Sequence, residues 1–183
     1  MARIGLSGLR YAELTNEVTP TYEAPATIGK VVGAKLAYEL NSAELYADNS
    51  LAESDYTFNK GTLTLTIADD DDATLAALLG RAIGTSPAEV VRTNTDVAPY
   101  VGVGRVITKL VNGVYKYKAE FLCRVKFKEP APEEKTKGES VEFGTVDLEG
   151  GISVMPSGQW SKSATFATKA EAEAYLDDCF GVV

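Results

Sequence analysis

The sequence predicts a mainly β protein, a β-sandwich or partial barrel with two short helices, and three observations support this fold class. Residues 61–67 (GTLTLTI) alternate apolar and polar side chains, as a half-buried strand does. Asn112-Gly113, the strongest two-residue hairpin signal, separates two long β-rich runs, 101–111 and 114–127. Further strand-like runs follow at the spacing typical of sandwiches and barrels, at 140–148, 151–155 and 159–167.

The composition narrows the class of protein. The chain has 183 residues, 45% of them hydrophobic, which suits a single globular domain over 1–183. Its 18 Lys+Arg against 26 Asp+Glu give a net charge of −8, which disfavours a protein that grips nucleic acid. The absence of histidine excludes Ser-His-Asp and Cys-His catalysis and His-containing zinc sites. No stretch approaches the ~18 apolar residues of a membrane span, so we expect no membrane partner and synthesis in the cytoplasm.

Two segments in the first third of the chain are predicted to make contacts. Residues 1–30 show no sustained period but are too apolar for a solvated tail, so we expect an irregular arm that docks on its own domain or on a neighbouring subunit. A strand is predicted at 30–40. Residues 41–60 are a long excursion whose apolar side chains would be wasted in a mobile loop. We interpret 41–60 as a protruding hairpin or loop that meets a partner.

Two helices are predicted, at 69–80 and 168–179. The first begins with a run of acids, which the positive end of the helix dipole favours, and Gly80 suits its C-terminal cap. The second begins with Thr168 and Glu171 in the spacing of a capping box. We expect its packing face to include Ala170, Ala174, Tyr175, Leu176 and Cys179.

The Asn112-Gly113 turn fixes the register of the strands around it, because opposed residue numbers then add to 225. On one face this register places small residues opposite large ones, as in Gly104 opposite Phe121. Gly102 is placed opposite Cys123. A face of this kind suits a packed core, and a glycine beneath an aromatic ring permits strong curvature of the sheet.

The other face of this predicted hairpin is ambiguous. Arg105 opposes Glu120, which is favourable, whereas Lys109 opposes Lys116, which is unfavourable in isolation. Aliphatic residues lie between the charges. The face is therefore either a subunit interface or channel lining, where partners supply counter-charges, or a solvated sheet face. The residues in question are Arg105, Lys109, Lys116, Lys118 and Glu120.

The residues that could form a metal, phosphate, sugar or catalytic site fit structural roles better. The run Asp69–Asp72 suits helix capping better than cation binding, because the ligand spacing of a calcium loop is missing. Gly102-x-Gly104 lacks the third glycine and the following helix of a phosphate loop, which favours a bend in a sheet. Trp160 fits a core position better than a sugar platform. Cys123 and Cys179 lack a CxxC pattern and are expected to be reduced thiols. No pair of carboxylates stands out, so we expect neither an enzyme nor a cofactor.

Extended segments along the whole chain resemble one family. The chain is similar to the major tail protein of long-tailed phages with non-contractile tails in ARIGLSGLRYAEL, NSAELYADNSLAES and GTLTLTIADDDDATLAALLG. The resemblance continues through VGVGRVITKLVNGVYKYKAEFLCRVKFKEP, GESVEFGTVDLEGGI and TFATKAEAEAYLDDCF.

This resemblance implies a tail tube protein, a structural component of the virion. Members of the family form hexameric rings that stack into a hollow tube, and strands of each subunit join an inner β-barrel around the lumen. The implied partners are other copies of the chain, the tape-measure protein and other tail proteins, with phage DNA as transiting cargo. We then expect inter-subunit contacts from Ile4, Leu6, Tyr11, Glu44, Leu45, Tyr46, Leu51 and Tyr56. The alternative is a monomeric β-sandwich module that binds a carbohydrate or a receptor.

Overall fold

The computed structural model describes residues 2–47, 50–68, 71–84, 89–131 and 144–182. Within these residues the chain is mainly β, with antiparallel pairing and two short helices, which confirms the predicted mainly β class. The strands are β1 Ala2–Asn16, β2 Thr21–Tyr22, β3 Ala26–Thr27, β4 Val31–Ala47, β5 Ser50–Ile67, β6 Ala82–Ile83, β7 Val90–Val91, β8 Val101–Val111, β9 Val114–Phe127, β10 Val146–Ile152 and β11 Ser161–Phe166. The helices are α1 Asp72–Leu79 and α2 Lys169–Phe180.

A single nine-stranded sheet dominates the fold. Its order is β2-β1-β8-β9-β10-β5-β4, with β3 beside β1 and β11 beside β9, while β6 and β7 form a separate ribbon. The sheet folds over itself, because Leu63 and Leu65 of β5 share one buried core with Val103 of β8 and Leu122 of β9. Leu78 of helix α1 belongs to the same core. This first core therefore lies between two layers of sheet, as in a β-sandwich.

A second core lies on the opposite face of β8 and β9, beneath helix α2. Val106 and Phe121 from the strands are buried there with Leu176 and Phe180 from the helix. Because both faces of the hairpin are covered, the first seven residues of β8 are all buried, without alternation. The β8–β9 hairpin is thus the central scaffold on which the other elements pack.

The N-terminal residues form the 15-residue strand β1, so the expectation of an irregular arm over 1–30 is wrong for this part. β1 pairs with β8 along most of its length, but bulges after Arg3 and Ser7 interrupt the register. Both faces of β1 are covered, since Tyr11 lies in the first core and Ala12 in the second. Bulges and burial on two sides remove the period-2 pattern by which a strand is identified in a sequence.

The β8–β9 hairpin confirms the predicted register from its turn as far as Val103. The turn has positive φ angles of 51° at Asn112 and 79° at Gly113, as a type I′ turn requires. Beyond Val103 a bulge shifts the register by one residue. The predicted pairing of Gly102 with Cys123 is therefore wrong.

Gly102 lies beneath two aromatic rings of the second core. A Cβ at this position would lie 2.7 Å from Cε1 of Tyr22 and 2.9 Å from Cζ of Phe121. Both rings are held in place, because the Tyr22 hydroxyl donates to the Cys123 carbonyl at 2.8 Å and Phe180 packs edge-on against both. The bend interpretation of the Gly102-x-Gly104 sequence fits this close approach.

Gly102→Ala is expected to lower the free energy of unfolding by ~1–3 kcal/mol, because the added methyl group overpacks the second core. Gly151→Ala is the matched control, since a Cβ at position 151 would meet only the Lys126 carbonyl oxygen, at 3.9 Å. Chemical denaturation of both variants measures the difference. Equal stability of the two variants would contradict this account of the Gly102 environment.

Helix α1 forms as predicted, with Asp71 as its N-terminal cap. The Asp71 carboxylate accepts hydrogen bonds from the Thr74 hydroxyl at 2.9 Å and from the Thr74 backbone N–H at 3.1 Å, and these two bonds, the hydroxyl's first, lower the pKa of Asp71. Gly80 ends the helix with a left-handed φ of 68°. The side chain of Asp71 is thus engaged in capping, while Asp69 and Asp70 lie outside the described residues.

Helix α2 begins with both halves of the predicted capping box. Thr168 Oγ1 accepts from the Glu171 N–H, and the Glu171 carboxylate accepts from the Thr168 N–H. The predicted packing face is partly wrong, because Ala170 and Ala174 are exposed. The residues that α2 buries are spaced four apart, at Ala172, Leu176 and Phe180.

The runs predicted as separate strands at 140–148 and 151–155 meet in one strand, β10. Gly150 lies inside this strand, where a Cβ would come within 2.9 Å of the Phe127 ring. The glycines therefore allow β10 to pass close to β9 and do not form a turn. Residues 132–143 lie outside the described residues, and with them the first four residues of the strand predicted at 140–148.

Candidate functional site

The β4–β5 hairpin continues well beyond the sandwich. Its strands span 17 and 18 residues and are paired up to Ala47↔Ser50. β10 pairs with β5 only from Gly61 to Ile67, so among the described residues the earlier part of β5 has β4 as its single strand neighbour. At about 3.3 Å per residue, the segment from Tyr38 to Ala47 extends the hairpin by roughly 30 Å.

This projecting part coincides with residues 41–60, which the sequence predicts to protrude. Leu40 and Tyr56 on it are 54% and 56% exposed, although both are large and apolar. The structure describes the backbone but not the side chains of four other predicted contact residues, Glu44, Leu45, Tyr46 and Leu51. The hairpin is therefore observed, and its contact with a partner stays a prediction.

Three aromatic rings fix the base of the hairpin. Phe58 stacks on Trp160 with ring centroids 4.2 Å apart and an interplanar angle of 6°. Tyr38 packs edge-on against Trp160, with the centroids at 5.3 Å. One face of the indole is thus occupied by the protein's own hairpin. Trp160 is half-buried against the first core, as the core interpretation of this residue expects.

Two long strand edges lack a neighbour within the described part of the chain. β4 ends the sheet, so one of its edges is free along its 17 residues. β1 pairs with β8 on one side. On its other side β2, β3 and Ile28, whose N–H donates to the Leu9 carbonyl at 3.2 Å, cover the part from Leu9 onward. Free edges of this length are ready to pair with a strand of another chain.

The structure separates the three contact residues predicted in the N-terminal arm. Ile4 is 53% exposed and Leu6 is half-buried, so both are accessible on the subunit. Tyr11 is only 9% exposed and lies in the first core, which also raises the pKa of its hydroxyl by desolvation. The prediction that Tyr11 contacts another subunit is therefore wrong for this conformation.

Arg105 and Glu120 form a buried ion pair inside the sandwich. They are 4% and 8% exposed, and Arg105 Nε donates to Glu120 Oε2 at 2.8 Å with a second bond from Nη2. Lys118 Nζ donates to the other carboxylate oxygen at 3.2 Å. Burial alone would raise the pKa of Glu120, but the Arg105 charge and these hydrogen bonds outweigh it and lower the pKa.

This burial corrects the interpretation of the ambiguous face. Arg105 and Glu120 neutralise each other within one subunit, so they lie on neither a lumen nor an interface surface of the described conformation. Sequence periodicity shows that they share a face, but not that β4 and β5 fold over it. Lys109 and Lys116 lie nearer the turn and are only half-buried, and their role stays a prediction.

A cleft of about 450 Å³ between α1 and the end of β9 was not anticipated from the sequence. Its lining includes Arg81, Arg92, Asp96 and Glu129. The buried Arg81 side chain forms an ion pair with Glu129, and burial followed by the Arg92 charge lowers the pKa of Arg81. Two arginines face two acids, so the cleft is electrically balanced and presents no excess charge to a ligand.

No helix among the described residues is both long and apolar enough to cross a membrane. Comparison with protein-family models gave no match for the chain, and comparison with curated proteins gave none either.

Proposed function

We propose that the chain is the structural subunit of a phage tail tube. Copies of it assemble into hexameric rings, the rings stack, and the resulting hollow tube is the conduit for DNA during infection. Its partners in the virion are other copies of itself, the tape-measure protein and further tail proteins. The chain acts by assembly and not by catalysis.

The observation that carries this proposal is the projecting β4–β5 hairpin. Two strands that leave the sandwich for roughly 30 Å bury little of their own surface, so a monomer gains little from keeping them ordered. Leu40 and Tyr56 are exposed on the subunit, so their apolar surface contributes to stability only when another surface covers it. A partner that repeats along an assembly supplies such a surface for every copy.

The free strand edges support ring formation in particular. An unpaired edge of 17 residues is a hazard for a monomer, because it templates uncontrolled pairing. Pairing the β4 edge of one copy with the β1 edge of the next would be a heterologous contact, and such contacts close into a ring when the rotation allows it. A closed ring of this kind has a continuous sheet, in which the uncovered start of β1 pairs with part of the β4 edge.

The net charge also suits a conduit. Each copy carries a net charge of −8. A lumen that shares this sign would repel DNA phosphates and keep the transiting chain from adhering.

Negative-stain electron microscopy of the purified chain over a concentration series tests the proposal. We expect hollow tubes or six-fold rings of uniform diameter above a threshold concentration. Monomers at every concentration would contradict self-assembly, and a glycan or receptor fragment bound by those monomers would establish the binding module instead.

A further inference from the structure

Three basic residues lie in one cross-strand row near the end of the β8–β9 hairpin. Arg3 of β1 pairs with Lys109 of β8, and Lys109 pairs with Lys116 of β9. Cross-strand partners project from the same face of a sheet, so the three side chains lie side by side. We name Arg3, Lys109 and Lys116 the basic row.

The basic row has too little negative charge around it within the described residues. None of its three members forms an ion pair there. Two acids on neighbouring positions are engaged by other groups. Glu120 binds Arg105 and Lys118, and Glu171 caps helix α2, where the Lys116 charge is the last of the causes that lower the pKa of Glu171. Like charges directly opposite each other in a sheet are destabilising, so the row is suited to an acidic partner.

The projecting hairpin has the complementary charge. Residues 41–59 contain four acids, Glu44, Asp48, Glu53 and Asp55, and no lysine or arginine. The two hairpins of the subunit therefore carry opposite charges.

The topology places both hairpins at the same end of the subunit. β9 is antiparallel to β10, and β10 is antiparallel to β5, so β9 and β5 run in the same direction. Each hairpin connection directly precedes one of these strands, and the two tips consequently point the same way. In a ring, copies related by rotation have equivalent ends at the same level, whereas a copy in the next ring presents its other end.

We propose that the acidic projecting hairpin of one copy docks on the basic row of its lateral neighbour in the same ring. This inference rests on the proposed assembly and names one contact within it. The contact is heterologous, since every copy gives its hairpin to one neighbour and receives a hairpin on its row from the other. Its charge complementarity sets the direction of ring closure and suppresses the reversed pairing.

Charge reversal on each side tests the contact. The row variant is Lys109→Glu with Lys116→Glu, and the hairpin variant is Glu44→Lys with Glu53→Lys and Asp55→Lys, which makes residues 41–59 net positive. Each variant alone should raise the threshold concentration for assembly at least about tenfold, because it places like charges together. The matched control, Lys128→Glu with Lys162→Glu, reverses two exposed lysines outside the row and should assemble like the wild type.

Mixing the two variants in equal amounts identifies the partner. Every contact in an alternating ring then joins opposite charges, so the mixture should assemble near the wild-type threshold. Assembly restored only when all five substitutions are in one chain would show that the hairpin contacts its own row, and would overturn the inference.

Two further outcomes also overturn it. Normal assembly by both variants would refute this contact while leaving the proposed function intact, whereas failure of the wild type itself would refute the proposed function. If the row variant assembles normally but no longer binds a short DNA duplex, the basic row binds DNA phosphates and not the hairpin of a neighbour.

Discussion

Deletion of residues 44–56 is expected to give a folded subunit that forms no long tubes. The deletion leaves the Asn41↔Thr57 pair closed by Ser42 and Ala43, and replacing these two residues with Asn-Gly supplies a type I′ turn. The truncated hairpin keeps the aromatic base and every core residue of β5. The deletion should therefore impair assembly and leave folding intact, because it removes the projecting surface but no part of the sandwich.

Electron microscopy at concentrations that give wild-type tubes measures this effect, with sedimentation velocity as the quantitative readout. Fluorescence of Trp160, the single tryptophan, serves as the control for folding, since its stacking on Phe58 is retained. The control chain is Tyr56→Ser, which removes one exposed apolar side chain and should weaken assembly less. Tubes of wild-type length from the deletion variant would contradict the role of the hairpin.

Glu120→Ala is expected to lower the free energy of unfolding by about 3–5 kcal/mol, the cost of leaving one buried charge without its partner. Arg105 is 4% exposed in the wild type, and in the variant its guanidinium would lack the Glu120 carboxylate. Replacing both residues with apolar ones, as in Arg105→Met with Glu120→Leu, removes the uncompensated charge and should recover most of the loss. Chemical denaturation below the assembly threshold measures all three proteins.

The pH dependence of stability gives an independent check on the same pair. The pKa of Glu120 is lowered from its ordinary value of 4.5, since attraction and hydrogen bonds from Arg105 and Lys118 outweigh the opposing effect of burial. A carboxyl whose folded-state pKa is lowered adds stability above its unfolded pKa and loses that contribution as the pH falls through the folded pKa. The stability difference between the wild type and Glu120→Ala should therefore narrow below about pH 4.5. A difference that stays constant or widens there would contradict the buried ion pair.

The sequence predicted local structure best where one local signal sufficed. The Asn112-Gly113 turn gave the β8–β9 register, and the Thr168–Glu171 box gave the start of α2. β1 was not predicted, because its bulges and its burial on two faces remove the alternation of apolar and polar residues that identifies a strand. Sequence period identifies which residues share a face, but the element that covers that face is decided by tertiary folding.

The same limit applies to the candidate site. Arg105 and Lys109 lie on one face of β8 and look equivalent in sequence, yet Arg105 is buried and bonded to Glu120, whereas Lys109 is half-buried. Tyr11 was predicted to be a contact residue because it lies in the apolar segment 1–30, which shows no sustained period, but the subunit's own core accommodates it. The projecting hairpin was predictable, since its length and its apolar residues together are out of place in a mobile loop.

Cryo-electron microscopy of the assembled chain tests the central claim most directly, because it shows which strand edges meet between copies. The account predicts six copies of 19.5 kDa per ring, with the β4 edge of each copy beside the β1 edge of the next. A closed assembly of another symmetry, or rings in which the β1 and β4 edges remain unpaired, would contradict it.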